Sequence, residues 1–183
     1  MTIYLITKNP GKIQAAKRVF DKYKIDLQNV EKEYPEIQAA TSLEIARHTA
    51  IAAAIEQRVP VIREDHSFTI RALGLPGPYM NFIEKWLPAE KLLEVLKGQP
   101  DRSAYFEVAT VYAEPDGKTK EFVFQVEAKI KDSIVVNDRR GGWNSLICLG
   151  DEKRALTEYP EEERLQIWSK NYEAIAQELI KNA

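Results

Sequence analysis

Ile3-Tyr4-Leu5-Ile6-Thr7-Lys8-Asn9-Pro10-Gly11-Lys12 joins a short apolar run to a helix start without a linker. Residues 3–6 read as a buried strand. Pro10 suits the first helical position, where its missing N–H costs nothing, and Asn9 before it is a natural cap. Beyond it Ile13, Ala16, Phe20 and Tyr23 recur at helical spacing, so one face of this helix is apolar. A strand running directly into a helix sets the first βα unit. It also leaves backbone N–H groups and a positive dipole end at the junction, which favour phosphate. Lys12 in the first turn opposes that dipole, and an anion between the two is the economical explanation. The alternative is that Asn9 only caps the helix and Lys12 is solvated. The glycine-rich P-loop is not present, because Ile13 stands where a magnesium-binding hydroxyl would follow the lysine.

Outward from this unit, a second strand is expected near 27–30 and an alanine-rich helix over 41–57. Residues 59–62 and 68–70 read as two short strands with Glu64, Asp65 and His66 in a corner between them. The turn residues of 73–78 form a loop, followed by helices near 79–86 and 89–97. Phe106, Val108, Thr110 and Tyr112 alternate, as do Phe122, Phe124, Val126, Ala128 and Ile130, and Pro115-Asp116-Gly117 between them signals a hairpin. Residues 138–142 read as a flexible loop and 143–149 as a further strand. A last helix from Pro160 carries Trp168, Tyr172, Ile175 and Leu179 on one face, with Trp168 expected in the core. The class is mixed α/β.

The 183 residues fit one domain, or one domain of two lobes around a cleft, and 44% hydrophobic content supports an ordinary core. A net charge of −2 without a basic stripe argues against a nucleic-acid polymer as partner. The one cysteine, Cys148, lies among Leu146, Ile147 and Leu149 and reads as a core thiol in a reducing compartment. The start Met1-Thr-Ile-Tyr-Leu-Ile6 shows no signal-peptide pattern and no apolar run is long enough to span a bilayer. The expected location is the cytoplasm, with no membrane partner.

Two further places carry chemistry. Thr41-Ser-Leu-Glu44 has the spacing of a capping box, in which the glutamate returns to the cap's backbone N–H. Glu44 instead becomes a metal ligand if a second carboxylate lies nearby. Glu64 and Asp65 are either turn-forming residues or hard oxygen ligands for magnesium, which takes one or two carboxylates plus substrate phosphates. A phosphate-receptive helix start together with acids on neighbouring elements supplies both halves of magnesium–polyphosphate chemistry.

The order Thr7-x-Asn9-x-x-Lys12, Glu44, Glu64-Asp65, Ala72-Leu73, Pro76-Gly77-x-Tyr79-x-x-Phe82 resembles the inosine triphosphate pyrophosphatase family. The likeness continues through Asp101-Arg-Ser-Ala-Tyr-Phe106, the hairpin, Thr157-Glu158 and Glu162-Glu-Arg-x-Gln-Ile167, nearly the whole chain. It implies an elongated mixed β-sheet with flanking helices, two lobes around a nucleotide cleft in a single domain over 1–183, and a homodimer. The implied reaction converts a nucleoside triphosphate and water to the monophosphate and diphosphate, removing non-standard purine nucleotides such as ITP, XTP and dITP. By the same resemblance Thr7, Asn9 and Lys12 hold phosphates, Glu44 binds Mg2+ (or Mn2+), and Asp65 binds metal or activates water, with Lys12 and Asp65 as the catalytic pair.

Several positions depart from the family pattern. His66 and Ser67 stand where Ser or Thr and then Gly usually follow the acids, Ala15 replaces an acid, and Asn81 replaces a lysine or arginine. The family's Phe-x-Tyr-Asp, whose ring stacks on the purine, corresponds to Gly141-Gly142-Trp143-Asn144. Its Ser-His-Arg, which reads the purine edge, corresponds to Trp168-Ser169-Lys170. Trp143, Asn144 and Lys170 are the base-binding candidates that remain, with core and surface roles as the alternatives. Loss of a stacking ring and of directional donors implies weakened base discrimination.

Overall fold

A computed structural model describes residues 2–135, 141–150 and 153–181. Strand β1 (Thr2–Ile6) leads into helix α1 (Pro10–Lys22), then strand β2 (Asp26–Val30) and helix α2 (Ser42–Gln57). Strand β3 (Val61–Ile70) is followed by strand β4 (Leu75–Gly77) and helices α3 (Met80–Trp86) and α4 (Ala89–Val95). The long hairpin is β5 (Ser103–Ala113) and β6 (Thr119–Ile130); β7 (Ile147–Leu149) and helices α5 (Glu161–Trp168) and α6 (Lys170–Lys181) complete the order. The strands form one sheet in the order β2-β1-β3-β5-β6-β7, with β4 paired to β3. Pairing is parallel for β1 with β2 and with β3, and antiparallel for β3 with β4 and β6 with β7, so the sheet is mixed.

The chain divides into two compact units. The first comprises residues 1–65, 108–124 and 161–183, and its core has two sides. On one side α1 and α6 bury Ala16, Phe20, Tyr172 and Ile175 together with Leu5 and Ile62. On the other the alanines of α2 (Ala46, Ala50, Ala53 and Ala54) bring its backbone close to Ile6, Val61 and Val111. Successive strand side chains face opposite ways, which is why Val61 and Ile62 fall in different clusters. In the second unit (66–107 and 125–160), β6 alternates half-buried or buried Val126, Ala128 and Ile130 with exposed Gln125, Glu127 and Lys129. Phe68 packs on Phe106 with ring centroids 4.6 Å apart and on Trp143 edge to face at 6.3 Å.

Five expectations are corrected. The two strands expected at 59–62 and 68–70 are one, and Glu64 and Asp65 lie within it rather than at a corner. The loop at 73–78 contains β4, whose Leu75–Pro76 peptide is cis. Residues 143–149 are not one strand: a 3-10 turn over Gly142–Ser145 precedes β7. The last helix is interrupted at Ser169, whose hydroxyl donates to the Gln166 carbonyl at 3.1 Å. Tyr172, Ile175 and Leu179 are buried as expected, but Trp168, on the far side of that break, is only half-buried. Of the loop read at 138–142, residues 138–140 lie outside the described residues.

Candidate functional site

The parallel pairing Tyr4↔Val61 and Leu5↔Ile62 brings the end of β1 beside residues 63–65 of β3. Thr7 leaves β1 buried, and its Oγ1 accepts the Asn9 N–H at 3.1 Å. Asn9 Oδ1 accepts from the backbone N–H of Gly11 at 2.9 Å and of Lys12 at 3.4 Å, so the expected N-cap is formed. The Lys12 side chain is half-buried and its Nζ donates to the main-chain carbonyl of Glu64 at 2.9 Å. It is therefore held against β3 rather than solvated. Burial pushes the Lys12 ammonium below its usual range, while the charges of Glu64 and Asp65 act in the opposite direction.

The two acids have different surroundings. Glu64 shares the parity of Ile62 and so belongs to the α1/α6 side. It is 2% exposed, and its Oε2 accepts the Thr110 hydroxyl at 3.2 Å. Thr110 is itself fixed by Asn171, whose Nδ2 donates to Thr110 Oγ1 (2.9 Å) and to the carbonyls of Val108 (3.0 Å) and Phe122 (3.1 Å). Burial and then the Glu64 charge push the Tyr172 phenol well above its usual range. Asp65 shares the parity of Val61 and Arg63, on the α2 side, and is half-buried. Arg63 there donates to the Ile6 carbonyl at 3.1 Å and pairs with Glu36.

Glu44 forms the capping box. Its backbone N–H donates to Thr41 Oγ1 (3.2 Å), and its Oε2 accepts from Thr41 N–H (3.0 Å) and Thr41 Oγ1 (2.9 Å). These bonds hold the Glu44 carboxyl below its usual range. Among the described residues no group of three or more His, Cys, Asp or Glu side chains is arranged to hold a metal ion. Magnesium does not need such a group, since it binds through one or two carboxylates with water and substrate phosphate completing its shell. Asp65 lies on the face of β3 that α2 covers and Glu44 in the first turn of α2, and both carry the hard oxygen donors that this ion takes.

The base-binding candidates have different surroundings within their own units. Trp143 is 1% exposed, its indole N–H donates to the Leu87 carbonyl at 2.7 Å, and its backbone N–H donates to Glu84 Oε1 at 2.7 Å. With Phe68 packed on it edge to face it is a core residue, the alternative the sequence had left open. Asn144 is half-buried beside it in the chain. Lys170 is exposed, with Nζ 5.4 Å from the centre of the Phe124 ring. Sequence reasoning missed Thr110 and Asn171. The available signal was a hydroxyl amid the apolar alternation of β5, which a buried strand tolerates only with a partner.

The profile of the Ham1 family matches residues 3–179. Among curated relatives, a dITP/XTP pyrophosphatase of Methanopyrus kandleri is 34% identical over 133 residues, 72% of this chain and 71% of the relative. A dITP/XTP pyrophosphatase of Saccharolobus solfataricus is 33% identical over 164 residues, 88% of this chain and 84% of the relative. The fold is that of the Ham1 protein of Staphylococcus aureus, with TM-score 0.82 at 23% identity over 100% of both chains. A HAM1 protein of Coxiella burnetii gives 0.83 at 21% identity over 99% of both. No helix among the described residues is long and apolar enough to cross a membrane.

Proposed function

Because this chain belongs to the Ham1 family, the family its motifs resemble, we propose that it hydrolyses nucleoside triphosphates to the monophosphate and diphosphate. The observation that carries the reading is the Lys12–Glu64 contact, which draws an anion-receptive helix start to a strand bearing Asp65. In this reading Thr7, Asn9 and Lys12 bind the triphosphate tail. The α1 backbone N–H groups and the Lys12 ammonium take the charge that develops on the leaving diphosphate. Water attacks the α-phosphorus, the α–β anhydride bond breaks, and Asp65 accepts the proton of the water. A divalent ion, Mg2+ or Mn2+, held by Glu44 and Asp65, supplies charge neutralisation at the phosphates when bound.

The nucleoside end is read more loosely than the phosphate end. Gly141 carries no ring to stack on a purine, Trp143 is committed to the core, and Ser169 and Lys170 offer fewer directional donors than the family's Ser-His-Arg. The working form is a homodimer, as the family resemblance implies. Diphosphate release from ITP, XTP, dITP, GTP, ATP and pyrimidine triphosphates, each with Mg2+ and with a chelator, tests the proposal. Metal-dependent diphosphate formation supports it. Release of orthophosphate only, or no turnover of any of them, contradicts it.

A further inference from the structure

Glu64 is a carboxylate within the central strand β3, on the side of the sheet that packs against α1 and α6. A buried charge of this kind persists only when compensated. Its compensation comes from elements far apart in the chain: Thr110 on β5 donates to its Oε2, Asn171 on α6 holds Thr110, and Lys12 on α1 brings a positive charge to the Glu64 main chain. Asn171 also binds the carbonyls of Val108 and Phe122, so this support is anchored on both arms of the hairpin. The Glu64 side chain thus lies on the opposite face of β3 from Asp65, bonded to Thr110, while its main-chain carbonyl accepts from Lys12.

We propose that Glu64, held by Thr110 and Asn171, is a positioning residue that fixes the Lys12 ammonium at the start of α1 for a triphosphate tail. The inference rests on the reading of residues 7–12 as a phosphate site. A lysine has several rotatable bonds, and holding it in place before the anion arrives removes an ordering cost from binding. The main-chain carbonyl of Glu64 supplies the acceptor, and the interior carboxylate supplies the opposite charge that keeps the amine in the protein. Thr110 and Asn171 keep that carboxylate in one place.

A double-mutant cycle tests this with inorganic tripolyphosphate as probe, in chelator, by titration calorimetry on the whole chain. Thr110→Val removes the hydroxyl at constant volume, and Thr110→Ser restores it. We expect Thr110→Val to weaken tripolyphosphate binding roughly tenfold and Thr110→Ser to return it to within about twofold of the wild type. Lys12→Ala weakens binding at least as much, and adding Thr110→Val to Lys12→Ala costs nothing further, because the hydroxyl acts through the lysine. Should Thr110→Val fail to fold, Glu64→Gln replaces it in the same cycle. Wild-type affinity in the folded Thr110→Val or Glu64→Gln protein, or losses that simply add to that of Lys12→Ala, overturns the inference and leaves the phosphate site standing. Equal binding by wild type and Lys12→Ala, or none by either, overturns both.

Discussion

Lys12 Nζ donates to the main-chain carbonyl of Glu64 at 2.9 Å, across 52 residues of chain, and so ties the first turn of α1 to β3. The contact exists because β1 and β3 are parallel neighbours, so the helix that follows β1 begins beside the acids of β3. It also places a positive charge where the helix dipole is already positive, an arrangement that an anionic ligand relieves.

Lys12→Ala is therefore expected to weaken nucleoside triphosphate binding by an order of magnitude or more while leaving the weak binding of the nucleoside unchanged. Calorimetry with both ligands decides it. Equal triphosphate affinity in mutant and wild type refutes the role of this lysine.

Asn171→Ala tests the buried support. It leaves a hydroxyl and two carbonyls without their donor in the core of the first unit. A loss of about 2–3 kcal/mol in unfolding free energy is expected from denaturant titration. A change below about 0.5 kcal/mol shows that the network contributes nothing to the fold.

The capping box predicts a pH effect. Hydrogen bonds from Thr41 depress the Glu44 carboxyl in the folded state. Its contribution is thus present above the unfolded value and drains away as pH falls through the folded one. Glu44→Gln should flatten the difference in melting temperature between neutral pH and the acid side of about pH 4, and Thr41→Ala should cost about 1 kcal/mol at neutral pH. An unchanged acid flank in Glu44→Gln rejects the cap as its cause.

Base selectivity should be modest and independent of Trp143. A loose site discriminates by about 10- to 200-fold, whereas directed hydrogen bonds reach orders of magnitude more. The ratio of kcat/KM for ITP over ATP is expected to fall in that lower range, and Trp143→Phe should keep the ratio while lowering stability. A much larger preference, or a ratio that moves with Trp143→Phe, shows that the purine is read by directed contacts, Trp143 among them if the ratio moves.

Much of this was legible in local sequence. Asn9-Pro10, the Thr41–Glu44 spacing and the Pro115-Asp-Gly117 turn each have chemistry that acts within a few residues, and each formed as expected. What sequence hid was long-range. Arg63, Glu64 and Asp65 read as a break because charged residues rarely sit inside a central strand. Arg63 and Glu64 are tolerated because the Ile6 carbonyl accepts from Arg63, Thr110 donates to the Glu64 carboxylate and Lys12 donates to the Glu64 main chain. The interruption at Ser169 was equally invisible, since the helical spacing of Trp168 and Tyr172 continues across it. Trp143 remained undecided because its indole partner, the Leu87 carbonyl, lies 56 residues away.

If Asp65 drives metal-dependent hydrolysis at the proposed site, removing its charge abolishes most of the turnover. Diphosphate release from ITP is measured with Mg2+ for the wild type and for Asp65→Asn, a near-isosteric change that removes the charge. The wild type is expected to turn over in a Mg2+-dependent way, and Asp65→Asn to lose kcat by on the order of several kcal/mol in activation free energy. Undiminished turnover in folded Asp65→Asn would contradict it.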